Sequence, residues 1–283
     1  MIPLIYEGFL RAALLEDLGR AGDLTTDAIV APSVIGTANA VARAGGVVSG
    51  LAAFVRTFTL VDERIEAQFQ AADGDHVAAG TPIVRVHGRL RAILAAERTA
   101  LNVLGHLSGV ATATDRLVQA AAGTHAAIID TRKTTPGMRA LEKAAVRDGG
   151  GHNHRFGLDD AILIKDNHVA IAGGIRAAIE AARAYAGHLV KIEVEVDSLD
   201  QLDEALAARA DIILLDNFSI DQTRAAVERT AGRALLESSG RIDETTVRAV
   251  AETGVDLISS GALTHSVRAL DIGLDIEVEP AQP

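Results

Sequence analysis

The chain has 283 residues, 48% of them hydrophobic, and a formal net charge of −11, so it has material for one large domain or two ordinary ones with a sizeable core. The acidic balance excludes a general nucleic-acid or anionic-membrane surface, and neither partner is expected. Cysteine is absent, which excludes disulfides and thiolate chemistry and fits a reducing cytoplasm, the expected compartment.

Residues 1–19 mix acidic and basic side chains on a helical period and lack the layout of a signal peptide. No apolar run approaches the ~18 residues that a membrane span needs. Apolar spacing predicts an amphipathic helix over 4–18, then a turn at GDLTT (22–26). Residues 35–43 alternate as a strand, Gly45-Gly46 breaks it, and 51–61 is helical again. Short antiparallel strands are expected at 65–71 and 83–86, with a turn at Asp73-Gly74. A long helix follows from about Leu90 to Ala121 and carries Arg91, Glu97, Arg98, Asn102 and His106, partly on one face. The first 115 residues or so therefore read as a small α+β domain closed by a helix.

Beyond this point short β-rich segments recur, each followed by a polar cluster and a helical stretch. They lie at 126–130, 162–164, 191–196, 212–216, 234–237 and 257–259. Serial βα units with buried strands imply a parallel sheet, and this many in a row favours a barrel, which leaves no free edge. The strand ends supply Asp130, Arg132 and Lys133; Lys165 and Asp166; Glu193 and Glu195; Asp216 and Asn217; Glu237, Ser238 and Ser239; and Ser259, Ser260 and Gly261. In a barrel these ends converge on one mouth, where such folds hold their chemistry.

The stretch from Asp130 to His168 concentrates cations on an acidic protein, which points to a small anionic ligand. Arg132, Arg155 and, as a further candidate, Arg98 have planar forks suited to carboxylate or phosphate. Lys133 and Lys165 are point charges suited to phosphate or developing negative charge. Arg139, Lys143 and Arg147, at helical spacing with Glu142, read as a helix surface. Glu195 and Asp216, from consecutive strands, suit Mg²⁺, which binds few carboxylates and shares substrate phosphates. Glu193 and Glu195 share a strand face, and one of them is open to serve only as a lysine's partner. Ser238-Ser239-Gly240 and Ser259-Ser260-Gly261 read as a phosphate cradle, each just before a helix. His152-x-His154 lies in a Gly-rich loop and fits a zinc hydrolase poorly; an imidazole donating to a carboxylate suits His154 better.

These residues closely resemble the quinolinate phosphoribosyltransferase family, nearly end to end. EDLGRAGDLTTD (16–27) looks like its N-terminal signature and ERTALNVLGHLSGVAT (97–112) its interdomain helix. DTRKTTPG, LEKAAVRDGGGHNHR and LIKDNH form the diagnostic block, and EVEVDSLDQL, ILLDNF, LESSG and GALTHS continue it in order. The resemblance implies a fold of an N-terminal α/β sandwich (1–115) and an incomplete, seven-stranded α/β barrel (116–270). A C-terminal segment (271–283) is expected to return toward the first domain. It implies an enzyme that joins quinolinate to phosphoribosyl pyrophosphate with Mg²⁺ and releases pyrophosphate and CO2, giving nicotinate mononucleotide for NAD synthesis. It further implies a head-to-tail homodimer in which Arg98 is donated across the interface. Arg132, His154, Arg155 and Lys165 match the family's quinolinate pocket. Lys133, Glu195 and Asp216 match the phosphoribosyl pyrophosphate and metal positions, with Lys165 able to touch both ligands. Ser239, Gly240, Gly261 and Ala262 fall on the 5′-phosphate loops.

Three positions depart from the family pattern: Arg241 where a second glycine is common, His152 where a small apolar residue is usual, and Ala145 where an aromatic is common. Two other readings compete. One is a paralogue associated with molybdenum transport; the intact LIKDNH and DTRKTTPG favour the quinolinate enzyme over it. The other is a non-catalytic phosphosugar-binding barrel, against which the retained carboxylates and lysines speak.

Overall fold

The first helical period becomes α1 (Glu7–Leu18), which buries Leu10 and Leu14. The expected turn at 22–26 is instead the start of a second helix, α2 (Leu24–Ile29). Asp23 caps it: its carboxylate accepts the Thr26 N–H at 3.0 Å and also the Thr26 hydroxyl. That cap satisfies an amide which the first helical turn leaves orphaned, so two β-branched threonines stay helical. The chain continues through β1 (Ile35–Ala42), β2 (Gly46–Val47), α3 (Leu51–Val61), β3 (Glu66–Phe69), β4 (His76–Val77), β5 (Pro82–Arg89) and α4 (Leu90–Ala120). Then come β6 (Ala127–Ile129), α5 (Arg139–Asp148), β7 (Ile162–Ile164), α6 (Asp166–Ala172), α7 (Ile175–Tyr185), β8 (Ile192–Val196) and α8 (Leu199–Ala207). The last elements are β9 (Ile212–Asp216), α9 (Ile220–Thr230), β10 (Leu235–Ser239), α10 (Val247–Ala251), β11 (Leu257–Ser259), α11 (Ala262–His265) and β12 (Ile272–Val278).

This computed structural model describes residues 1–278 and separates into two units. The first comprises 1–115, 134–150 and the chain from Ser266. Its antiparallel sheet has the order β12-β1-β5-β3. Small residues of β1 (Ala38, Ala40, Ala42) and Ile83, Val84 and Val86 of β5 pack with Phe54, Phe58 and the apolar face of α4. Phe54 and Phe58, one helical turn apart, meet edge to face at 5.0 Å. A second cluster joins Leu107, Val110 and Ala111 of α4 to Leu141, Ala145 and Val146 of α5. This apolar face is why 134–150 lies in the first unit, although the sequence places it in the barrel segment. It also corrects the reading of α5 as a helix surface. Arg147 is exposed, but Lys143 is buried and Glu142 is wholly enclosed. Glu142 pairs with His106 of α4 at 2.7 Å, and its second oxygen accepts the Thr135 N–H at 3.0 Å. Part of the expected 271–283 segment is β12, antiparallel to β1; the rest lies outside the described residues.

The second unit, 116–133 and 151–265, is the barrel. All six expected strands are present, parallel, in the order β6-β11-β10-β9-β8-β7. The seventh strand that the family implies shrinks to one residue. His152 bridges in parallel to Ile129, donating its N–H to Ile128 O at 2.8 Å and accepting the Asp130 N–H at 3.2 Å. Its side chain is exposed, so the departure at this position leaves the interior untouched. Helices α7, α8 and α9 bury one stripe each, led by Ile179, Leu202 and Ala226.

Candidate active site

Parallel register sets the depth of each functional side chain in the barrel. Ser239 pairs with Asp216 on one side and Ser259 on the other, so three strand ends finish level. Glu193 and Glu195 do share a face of β8, at different depths: Glu193 is buried and Glu195 half-buried.

Asp130, fully buried just past β6, organises the next loop. Its carboxylate accepts the His154 N–H at 2.9 Å and the Asn153 side-chain amide at 2.6 Å. The His154 ring is fixed from both sides. Nδ1 accepts the Arg155 N–H at 2.6 Å, and Nε2 lies 3.0 Å from Glu193 and 3.6 Å from Glu237. That places the ring proton on Nε2, donated to a carboxylate within the chain. Burial, and then the charge of Glu193, push the Glu237 carboxyl well above the usual carboxylate range; the Ser259 hydroxyl opposes this. A carboxyl that holds its proton more tightly lessens the repulsion between two buried carboxyl groups. Ligand atoms of His154, Glu193 and Glu237 lie within 4.8 Å of one another, and one buried oxygen on each glutamate has no hydrogen-bond partner among the described residues.

Arg132 and Arg155 each have a buried Nε with no hydrogen-bond partner among the described residues. Arg155 donates Nη1 to Ala161 O at 3.0 Å. Burial and then the Arg132 charge lower the Arg155 pKa. Two guanidinium groups held within each other's field, each with an orphaned donor, call for an anion with several oxygens.

Lys165 follows β7 and is the N-cap of α6: its backbone N–H donates to His168 Nδ1 at 2.9 Å, which fixes the His168 ring. Lys165 Nζ reaches Glu195 at 2.6 Å, so Glu195 is the glutamate that partners a lysine. Glu195 and Asp216 border a cavity of about 310 Å³ with Asp166, Asp197 and Gln201. Hard oxygen donors around such a space fit Mg²⁺.

The phosphate-loop residues come together, with one correction. Neither loop opens a long helix: α10 begins only at Val247, and α11 has four residues. The cradle is built from turns. Gly240 has φ +107°, and a Cβ there would strike the Asn217 side-chain oxygen, so only glycine fits. Arg241, where the family favours glycine, has φ +51°, a left-handed conformation that costs a non-glycine residue about 1–2 kcal/mol. A Cβ on Gly261 would come within 2.8 Å of Lys133 Cδ, which places Lys133 directly along the second loop.

Arg98 lies exposed in the first unit. It borders a cavity of about 370 Å³ with Glu16, Asp17, Asn102 and His106. Sequence reasoning gave no role to Asp130 or Glu237, because polar residues at strand ends do not announce their burial.

Two family profiles match the chain: the quinolinate phosphoribosyl transferase N-terminal domain over residues 23–108 and the C-terminal domain over 110–275. The nicotinate-nucleotide pyrophosphorylase (carboxylating) of Mycobacterium leprae is 48% identical, across 94% of this chain and 95% of that protein. Quinolinate phosphoribosyltransferase (decarboxylating) 1 of Nicotiana glauca is 38% identical, across 97% of this chain and 83% of that protein. The crystal structure of NadC from Streptococcus pyogenes superposes with a TM-score of 0.95 at 43% identity, covering 99% of both chains.

Proposed function

This chain belongs to the quinolinate phosphoribosyl transferase family, and from that membership we propose that it is the decarboxylating phosphoribosyltransferase of de novo NAD synthesis. It joins quinolinate to phosphoribosyl pyrophosphate and yields nicotinate mononucleotide, pyrophosphate and CO2. The observation that carries this reading is the Arg132–Arg155 pair with its orphaned buried donors. Quinolinate presents two adjacent carboxylates on a flat ring and satisfies that pair.

Arg132, Arg155 and Lys165 hold the dicarboxylate; His154, anchored on Glu193, completes that wall. The ring nitrogen attacks C1′ of the sugar while the C1′–O bond to pyrophosphate breaks. Charge at the sugar is oxocarbenium-like, and Lys133 offsets the charge of the departing pyrophosphate. Glu195 and Asp216 would hold Mg²⁺, which supplies charge neutralisation at the phosphates. Ser239, Gly240, Gly261 and Ala262 receive the 5′-phosphate. The ribosylated nitrogen is cationic and adjoins C2. When the C2–carboxylate bond breaks, the electron pair stays at C2, stabilised by that cation, and a proton then replaces CO2. No pyridoxal or thiamine cofactor is needed. To Lys165, which bonds Glu195, we assign the stabilisation or protonation of C2. The working form is a homodimer in which Arg98 of one subunit completes the quinolinate pocket of the other, and the compartment is the cytoplasm.

The test is an acceptor panel with Mg²⁺ and phosphoribosyl pyrophosphate. Quinolinate should turn over, and nicotinate, lacking the second carboxylate, should fail. Turnover of a different pyridine acid alone would favour the paralogue; binding without product would favour a phosphosugar sensor.

A further inference from the structure

We propose that Thr264 is a positioning residue for Lys133, setting the spacing between the 5′-phosphate loop and the pyrophosphate lysine. The inference rests on the phosphoribosyl-transfer reading above and assigns a role within GALTHS that the reading leaves open.

Lys133 is an exposed lysine in a loop, four residues past the end of β6. A backbone in that position is normally mobile. Here both of its polar backbone groups are tied by hydroxyls. The Lys133 N–H donates to Thr131 Oγ1 at 3.0 Å, and the Thr264 hydroxyl donates to Lys133 O at 2.7 Å. Thr264 is buried, with 1% of its surface exposed. Its hydroxyl also lies 3.3 Å from Gly261 O, within its own turn, so of these two contacts the shorter, to Lys133 O, is the one that links the GALT turn to the loop after β6. The two segments are joined again lower down, where the Ser260 N–H donates to Ile129 O at 3.1 Å. The Lys133 side chain then runs across Gly261, its Cδ 2.8 Å from where a Cβ would stand, so a side chain there would displace it.

Phosphoribosyl pyrophosphate carries phosphate groups at both ends of one sugar. A cradle for the 5′-phosphate and a cation for the pyrophosphate must therefore stand at a fixed separation to act on the same molecule. An error of about 1 Å in such a pair costs on the order of 100-fold in rate. Thr264 supplies the fixed separation: its backbone belongs to the turn that includes Gly261 and Ala262, and its hydroxyl holds Lys133. It touches no reacting atom.

The experiment compares wild type, Thr264→Val and Thr264→Ser by titration calorimetry with Mg²⁺–phosphoribosyl pyrophosphate and, separately, with quinolinate, alongside steady-state kinetics. Valine keeps the shape and removes the donor; serine keeps the donor. The expected result for valine is about 10-fold weaker phosphoribosyl pyrophosphate binding with a matching rise in its KM, quinolinate binding within two-fold of wild type, and recovery with serine. Thr131→Val, which frees the other side of Lys133, should show the same selective loss; it also carries the test if Thr264→Val fails to fold. Unchanged phosphoribosyl pyrophosphate affinity in a folded valine variant, equal loss for both ligands, or no recovery with serine would each overturn the inference while leaving the reaction intact. A wild type that binds no phosphoribosyl pyrophosphate would overturn the reaction and the inference together.

Discussion

Asp130 offers the sharpest mutational test of how the quinolinate wall is held. It is fully buried and accepts the His154 backbone N–H at 2.9 Å and the Asn153 amide at 2.6 Å. Asp130→Ala strands both half-buried donors, at about 1–3 kcal/mol each, so a loss of roughly 2–6 kcal/mol is expected as an upper bound. Part of that is recovered because alanine brings no buried charge. Asp130→Asn keeps the shape and one accepting oxygen but turns an amide donor toward one of the two existing donors, so about half the loss is expected. Both changes release the loop that aims His154 and Arg155. The assay pairs denaturant midpoints with KM for each substrate. The quinolinate KM should rise at least ten-fold in the alanine variant and less in the asparagine variant, with the phosphoribosyl pyrophosphate KM little changed. A quinolinate KM within two-fold of wild type in both variants would refute the assignment of Asp130 as the anchor of this wall.

Arg155→Lys keeps the charge but loses the planar fork, so it should raise the quinolinate KM about ten-fold or more and leave the phosphoribosyl pyrophosphate KM near wild type; steady-state kinetics with each substrate varied will show this. Glu237 gives a pH signature. Its folded pKa is raised, so the folded chain holds that proton more tightly than the unfolded chain. Its contribution to stability therefore falls as pH climbs from the ordinary carboxylate range toward the raised value. Glu237→Gln mimics the protonated acid at every pH and should flatten this slope in thermal melts; identical slopes would contradict the assignment. Arg241→Gly removes the left-handed penalty, about 1–2 kcal/mol, against about 0.5–1 kcal/mol of added chain entropy. A small rise in Tm is expected, whereas Arg241→Ala, which keeps the strain, should give none.

Much of the site was legible because its parts are consecutive in sequence. LIKDNH contains a strand, the lysine at its end and the histidine that caps the next helix, so order alone places Lys165. The six strands read well since each is a short apolar run closed by polar residues. The seventh could not be read, because one bridged residue, His152, has no periodicity. Period two placed Glu193 and Glu195 on one face but not at their depths, and depth is what divides them: the deeper takes His154 and the shallower takes Lys165. Lys143 looked like a surface lysine because the elements that bury α5 lie far off in the chain; Glu142 meets His106 across 36 residues. Asp23-Leu-Thr-Thr looked like a turn since threonine is a weak helix former, and the cap that overrides this depends on one side-chain rotamer.

In the proposed reaction, transfer and decarboxylation occur on one substrate in one site. Quinolinate labelled in its C2 carboxyl, incubated with the protein, Mg²⁺ and phosphoribosyl pyrophosphate, tests it directly. The expected products are labelled CO2, pyrophosphate and unlabelled nicotinate mononucleotide in equal amounts, with no CO2 when phosphoribosyl pyrophosphate is withheld. Label retained in the nucleotide, or CO2 released without the phosphoribosyl donor, would contradict that reaction.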